Sequence, residues 1–499
     1  MNDHEKSDAV VVPAKPGNKG TEARAEATAD LVEGRTATKR NPTEGNTRRT
    51  RSRESVSSAL GRVRQAAKQH PTMKFTALLH HVTVERLTQA YAKTRKQAAA
   101  GVDGVTWDEY GEGLEEKIRK LHGRIHRGAY RPEPTRRVHI AKADGGRRPL
   151  GIATIEDKIV QRAMGEVLNA IYEVDFKGFC YGFRAGRSQH DALDALSTAL
   201  ERKRVNWVLD VDIQSFFDTV EHEWMQKFLE HRIGDKRVVR LILKWLTAGV
   251  MEDGEWTESE SGTPQGATIS PLLANIYLHH AFDQWAHRWR RTARGQVVIV
   301  RFADDFVVGF EHLADAKEFR EALGTRLRKF GLVVHPEKTR LIEFGRYAAE
   351  RRQRRGEGKP ETFRFLGFVH ICATDRKGRY AIRRISDPKR IRRKLHQLGD
   401  ELKLRRHDPI PAQGAWLQSV IRGFDQYHGV PNNIDALEGF RHAVLRLWQI
   451  ALRRRSQTSR ITIERMVHLS DRWFPAASIV HPWPQQRFDA KTQGRSRMR

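Results

Sequence analysis

The chain has 499 residues, 90 Lys and Arg against 61 Asp and Glu, 22 His and two Cys, which leaves a formal net charge of +29. That length accommodates about three domains, and the basic excess calls for a polyanionic partner. Two cysteines, Cys180 and Cys372, exclude a disulfide framework and a four-Cys zinc site; the absence of any apolar run near 18 residues excludes a membrane span, and the acidic start fits neither signal nor transit peptide.

Residues 1 to about 70 are rich in Gly, Ala, Thr, Glu, Arg and Lys, and the first aromatic residue is Phe75. Such a segment buries too little surface to offset chain entropy. It reads as a disordered, basic-leaning extension, with a short helix near Ser57–Lys68. From Phe75 to about Gly345 helical and extended patterns alternate, which predicts an α+β or α/β body. Leu79–Tyr91 and Leu114–Ile125 have helical spacing. Val138-His139-Ile140 followed by Asp144-Gly145-Gly146 reads as a strand entering a tight turn. Val205–Val211 and Val297–Val300 are short β-branched runs suited to strands covered on both faces. Arg346–Pro360 is a charged interruption, and Phe363–Val369 resumes an extended pattern. From Ile371 onward there are 27 Lys and Arg against 11 Asp and Glu, so +16 of the charge lies in about a quarter of the chain. Lys389–Lys394 and Arg453–Arg455 fall within helical periodicity, predicting a helical region with a basic, nucleic-acid-facing side.

The segment Val297-Val298-Ile299-Val300-Arg301-Phe302-Ala303-Asp304-Asp305-Phe306-Val307-Val308 has the pattern of a β-hairpin with two acids at its turn. Adjacent carboxylates between buried strands are costly unless a cation neutralises them, and Mg²⁺ takes oxygen ligands while leaving room for phosphates. A second acidic strand end, Leu209-Asp210-Val211-Asp212-Ile213, puts Asp210 and Asp212 on one face. If the two neighbour each other, three carboxylates converge, a set suited to two-metal nucleotidyl transfer. Between them, Gly262-Thr263-Pro264-Gln265-Gly266 is a loop feeding a helix capped by Thr268 or Ser270, with Pro271 in its first turn.

In this order, these segments resemble reverse transcriptases, and specifically the group II intron-encoded reverse transcriptase/maturase family of bacterial type. The resemblance extends to Gly101–Thr106, Lys142–Ile152, Asp157–Gln161, His335–Thr339 and Phe365–Phe368, and runs to the C-terminus. Phe302 stands where the family's acidic box usually has Tyr; Ala141-Lys142 and Ile152-Ala153-Thr154 replace the usual Pro-Lys and Ile-Pro-Thr.

The resemblance implies an α+β right-hand polymerase with fingers over 75–190, a palm with a ferredoxin-like sheet over 191–370, a helical thumb/maturase domain over 371–455 and a basic tail over 456–499. It implies that Asp212, Asp304 and Asp305, helped by the Ile213 carbonyl, hold two Mg²⁺ ions, with Mn²⁺ as a substitute. Lys142 and Arg148 would grip the incoming triphosphate. Phe217 would form the sugar gate, Gln265 and Gly266 would line the nucleotide pocket, and Lys338 would approach the active site or form a structural ion pair. Asp210 reads as structural. Leu366 and Gly367 match the primer grip, and Arg390, Arg392, Arg393, Lys394, Arg453, Arg454 and Arg455 would bind RNA. Tyr427, Trp448 and Trp483 are candidates for base stacking or for ordinary core. The implied partners are the parent intron RNA, target DNA with its primer and deoxynucleoside triphosphates, with no membrane, in the bacterial cytoplasm. Lacking the HNH nuclease of many relatives, the chain is not expected to nick a second strand. Two rival readings remain: an RNA-binding splicing cofactor with a silent polymerase, and a reverse transcriptase recruited to host defence.

Overall fold

The computed structural model describes residues 59–141, 147–456 and 461–492, without the side chains of 141–148. Of the disordered extension expected over residues 1 to about 70, residues 1–58 lie outside them, as does the turn at Asp144-Gly145-Gly146. Residues 59–69, by contrast, are not disordered but form the expected short helix, with Val63 and Ala67 buried in the main core. Helix α1 (59–69) is followed by α2 (Val84–Lys93), α3 (Trp107–Gly111) and α4 (Leu114–His126), then by β1 (Thr135–Ala141) and β2 (Arg147–Ile152). Helices α5 (Ile155–Asp175) and α6 (Gln189–Arg202) precede β3 (Trp207–Val211), α7 (His222–Glu230) and α8 (Lys236–Leu246). Next come β4 (Val250–Glu252), β5 (Glu255–Thr257), α9 (Ser270–Leu278), a π-helical turn over His279–Asp283 and α10 (Gln284–Trp289). The hairpin β6 (Val297–Phe302) and β7 (Asp305–Phe310) leads to α11 (Leu313–Arg328), β8 (Arg340–Glu343) and α12 (Ala348–Arg354). Strands β9 (Phe363–Phe365), β10 (Phe368–Thr374) and β11 (Tyr380–Ser386) are followed by α13 (Pro388–Leu404), α14 (Ile410–His428), α15 (Ile434–Arg453), α16 (Ile463–Trp473) and α17 (Pro484–Thr492).

The architecture is α+β. The central sheet has the order β6-β7-β3-β8 with all neighbours antiparallel. With α11 crossing between β7 and β8, this is the strand order of the split β-α-β fold. Strand alternation covers both faces. Leu209, Val211, Ile299, Phe306, Val308 and Phe310 join one core with α5, α7, α8 and α9. Val208, Val298, Val300, Val307 and Ile342 join another with Leu193 and Leu196 of α6. A second sheet, β2-β1-β4-β5, and a third, β11-β10-β9, flank it. A separate core gathers Leu398, Leu417, Phe440, Val444 and Trp448 from the C-terminal helices.

Several expected boundaries shift for local reasons. Leu79–Tyr91 is not one helix. A 3₁₀ turn ends at His81, and the side chain of Thr83 accepts from the Arg86 amide to start α2 afresh. The charged interruption at Arg346–Pro360 contains α12. Neither Thr268 nor Ser270 caps α9: its N-cap is Ile269, without a side-chain bond, because the Ser270 hydroxyl donates back to the Pro264 carbonyl at 2.9 Å. Helical structure begins at Pro388 and not at Ile371, since β10 pairs with β11 from Phe368 to Thr374. Asp387 then caps α13 by accepting from the Lys389 amide, with Pro388 in the first turn.

Candidate active site

The β6–β7 turn is two residues long, Phe302 pairing with Asp305 across it. Ala303 carries φ = +55°, the positive value that tight hairpin turns require and that costs a non-glycine residue about 1–2 kcal/mol. This puts Asp304 in the turn and Asp305 at the start of β7, both buried. One residue beyond the Val211–Phe306 pair, Asp212 and Asp305 leave adjacent strands at the same end of the sheet. Asp210, also buried, lies within the strand opposite Val307 and Arg340.

The loop before β8 is laid along Asp212–Gln214. The His335 amide donates to the Asp212 carbonyl at 2.8 Å, the Gln214 amide donates to that of Val333 at 2.8 Å, and Ile213 bridges Val334. That contact carries Lys338 to the acids, its Nζ 3.8 Å from Asp212 Oδ2. Of the two expected roles for Lys338, the geometry displays the ion pair, at the sheet end where the acids lie.

Phe217 sits in a 3₁₀ turn, Phe216–Asp218, its ring edge-on to Phe216 at 5.3 Å. The Gly262 loop is zipped onto it: the Thr263 amide donates to the Phe217 carbonyl at 2.7 Å and the Gly262 amide to that of Val220 at 2.8 Å. Further along, the Gly151 amide donates to the Gln265 carbonyl at 2.6 Å. A Cβ on Gly266 would stand 2.8 Å from the Gly151 carbonyl, so only glycine allows this approach. Phe217, Gln265, Gly266 and the strand bearing Arg148 therefore form one connected wall. Lys142 and the Arg148 side chain lie outside the described residues.

Leu366 and Gly367 make the β9–β10 turn with φ of +46° and +79°, positive at both positions as a type I′ turn demands. The Tyr427 hydroxyl donates to the Leu366 carbonyl at 2.9 Å, and the Asp387 amide to that of Gly367 at 3.0 Å. A Cβ on Gly367 would meet Arg390 Nη1 at 2.7 Å.

The basic candidates divide. Arg392 is exposed, whereas Arg390, Arg393 and Lys394 are half-buried, and burial lowers the Lys394 pKa. Arg453 donates to the Ile461 carbonyl at 3.3 Å and Arg455 to that of Asp408, so two of that cluster tie loops together. Helix α17 docks on α6 through Arg487–Asp194 at 2.5 Å, Lys491–Asp191 at 2.6 Å and Arg202–Asp489 at 2.7 Å. Trp448 is core, fully buried and donating to Gln413 Oε1 at 2.8 Å; Trp483 is 53% exposed.

Sequence reasoning missed what lies beneath the turn. Arg301, with no exposed surface, pairs with Asp283 at 2.6 Å and donates to the Ala303 carbonyl at 2.8 Å. Burial is the largest influence and would lower its pKa, but the Asp283 carboxylate, joined by Cys180 and Asp304, outweighs it and holds the group further toward the charged form. A charged residue inside a strand covered on both faces was the available signal.

Buried carboxylates are hard oxygen donors, the chemistry a divalent cation takes. The backbone brings Asp212, Asp304 and Asp305 to the same end of the central sheet. Among the described residues, however, no three His, Cys, Asp or Glu side chains are drawn into a metal-ligand cluster. Nor is any described helix long and apolar enough to cross a membrane.

Residues 140–370 match the family model of the reverse transcriptase (RNA-dependent DNA polymerase). The chain is similar to protein YkfC of Escherichia coli, 36% identical over 272 residues, covering 48% of this chain and 71% of that protein. It is also similar to the group II intron-encoded protein LtrA of Lactococcus lactis, 39% identical over 191 residues, and to a putative COX1/OXI3 intron 1 protein of Saccharomyces cerevisiae, 27% identical over 305 residues. These matches cover 38% and 51% of this chain, and 32% and 36% of those two proteins.

Proposed function

From the premise that this chain belongs to the group II intron-encoded reverse transcriptase/maturase family, we propose that it extends a primer on an RNA template with deoxynucleotides, binds its parent intron RNA to assist splicing, and copies that intron during its movement into DNA. The observation that supports the polymerase reading is that the strand register brings Asp212, Asp304 and Asp305 to one end of the central sheet, with Phe217, Gln265 and Gly266 on one connected wall. We assign residues 75–190 to the fingers, 191–370 to the palm and the helices from Pro388 to the thumb and maturase region.

In this reading Asp212, Asp304 and Asp305, with the Ile213 carbonyl, hold Mg²⁺. These residues would hold the cation, which would supply positive charge to the primer hydroxyl and to the leaving pyrophosphate. Lys338, on the Asp212 side, adds positive charge where the triphosphate would lie. Lys142 and Arg148 grip phosphate oxygens, Arg148 in a bidentate manner. Phe217 packs under the sugar and excludes a ribose 2′-hydroxyl. Leu366 and Gly367, whose carbonyls are fixed by Tyr427 and the Asp387 amide, guide the primer strand.

Intron binding rests on the basic helical region, and Arg392 and Arg454 are the exposed cations best placed to contribute. Three buried carboxylates at one end of a sheet weigh against a silent polymerase. The deciding experiment is primer extension on an RNA template with deoxynucleotides and Mg²⁺, run beside protein-assisted splicing of the intron that encodes the chain. Absence of complementary-DNA synthesis by the intact protein would overturn the polymerase reading.

A further inference from the structure

Beneath the acidic turn lies a polar cluster that none of the roles above uses. Arg301 Nε donates to Asp283 Oδ1 at 2.7 Å and Nη2 to Oδ2 at 2.6 Å. Nη1 donates to Asn275 Oδ1 at 3.1 Å and to the Ala303 carbonyl at 2.8 Å. Nη2 also reaches the Cys180 sulfur at 3.0 Å. All five guanidinium N–H donors are thereby engaged. Asn275 holds the turn from its other side too, its Nδ2 donating at 2.7 Å to the carbonyl of Gly182, the residue packed against the Ala303 backbone.

The anchor of this cluster is itself built by an unusual element. Asp283 ends the π-helical turn His279–Asp283. A π-turn rotates the residues after it relative to an α-helix, here bringing Asp283 to Arg301. The His280 and Ala281 carbonyls in that turn accept from Arg326 at 2.9 Å each.

A stability role accounts poorly for these features. A buried ion pair contributes little over an apolar pair of similar volume, because desolvation offsets the attraction. What an apolar pair cannot do is hold the carbonyl of a turn residue that sits at positive φ. That carbonyl belongs to the peptide joining Ala303 to Asp304, so fixing it fixes the direction in which the Asp304 carboxylate leaves the turn. Resting on the polymerase reading above, we propose that Arg301, aimed by Asp283, is a positioning residue that presets Asp304 and Asp305 for cation binding and nucleotidyl transfer.

The test compares full-length wild type, Arg301→Lys, the double variant Arg301→Met/Asp283→Leu and, as a control, Asp304→Asn. Each is measured for thermal midpoint, primer–template affinity, single-turnover extension rate and Mn²⁺ binding by electron paramagnetic resonance. The double variant replaces a buried pair with apolar side chains and is expected to fold and bind primer–template as wild type does. Its extension rate should drop about 100-fold, the scale of a catalytic group misplaced by about 1 Å, and its Mn²⁺ affinity about tenfold. Arg301→Lys keeps the charge but cannot reach Asp283, Asn275 and Ala303 together, and should lose about tenfold in rate at unchanged primer–template affinity. A folded double variant that extends within threefold of wild type and binds Mn²⁺ normally overturns the inference. If that variant does not fold, Arg301→Lys decides, and a wild-type rate overturns it. An inactive wild type would instead sink the polymerase reading itself.

Discussion

Gly182 offers a way to move the acidic turn without touching either carboxylate. A Cβ added there would stand 2.3 Å from the Ala303 nitrogen, 3.0 Å from the Phe302 carbonyl carbon and 3.1 Å from the Ala303 Cα. All three are backbone atoms, so no side chain can swing aside. Ordinary contact lies near 3.5 Å, so the acidic turn must retreat by about 1 Å or the turn at Gly182 must. The second route strains the bond from Asn275 Nδ2 to the Gly182 carbonyl. Overpacking of this kind costs about 1–3 kcal/mol, and an ångström of displacement at reacting groups about 100-fold in rate. Gly182→Ala should therefore remain folded, with a thermal midpoint lowered by a few degrees, and bind primer–template normally while losing about two orders of magnitude in single-turnover extension. A variant with the wild-type rate and an unchanged melting curve would show that this contact does not govern the acids.

Asp304→Asn and Asp305→Asn each keep side-chain volume but remove a charge that cation binding needs. Complementary-DNA synthesis should fall to background while intron RNA affinity and assisted splicing persist, and loss of splicing at full RNA affinity would refute the division. Phe217→Ala should raise ribonucleotide use relative to deoxynucleotide, since the Thr263 contact is to the Phe217 backbone carbonyl and survives truncation; competitive primer extension reads the ratio, and an unchanged ratio rejects the gate. If RNA binding neutralises about 6–10 phosphates, affinity should fall about 10³–10⁵-fold between 50 and 200 mM salt. Arg392→Ala/Arg454→Ala should flatten that logarithmic slope by about 2 in filter binding, and an unaltered slope would remove both residues from the interface. Burial raises the Asp157 pKa from 3.8 to about 6 despite hydrogen bonds from Tyr130 and the Glu133 amide. Its contribution is present below pH 3.8 and lost as pH rises through about 6, a change of about 3 kcal/mol at about 1.4 kcal/mol per unit. Asp157→Asn lacks that loss, so its midpoint should gain on wild type between pH 4 and 7.5; parallel melting curves would contradict this.

The acids were legible in the sequence because their placement depends on local rules. Two short β-branched apolar runs flanking a pair of acids read as a hairpin covered on both faces with both acids at its turn; the structure keeps Asp304 in the turn and puts Asp305 at the start of β7, paired with Phe302. The neighbouring acidic strand end was legible only in part, because no sequence pattern dictates that β3 lies beside β7 and not beside β6. The basic clusters show the opposite case. Arg453, Arg454 and Arg455 are alike as a string, yet two of them bind carbonyls at Ile461 and Asp408, partners set by how the helices pack. The same holds for Trp448 and Trp483, identical in type but fully buried in one case and half exposed in the other.

Arg301 shows where local reading stops and how a structure recovers the rest. Its strand is apolar on both sides, so the sequence presents a charge with no visible partner, 18 residues beyond Asp283. The pairing depends on the π-turn at His279–Asp283, a one-residue change of helical phase that apolar periodicity cannot reveal, because the flanking residues Leu278 and Ala286 are buried on either side of it. A guanidinium with no exposed surface needs every donor satisfied. That requirement forces Asp283, Asn275, Cys180 and the Ala303 carbonyl into one cluster. The fold thus ties the geometry of the acidic turn to residues on three separate segments, so substitutions well outside the acidic box should alter extension before they alter RNA binding.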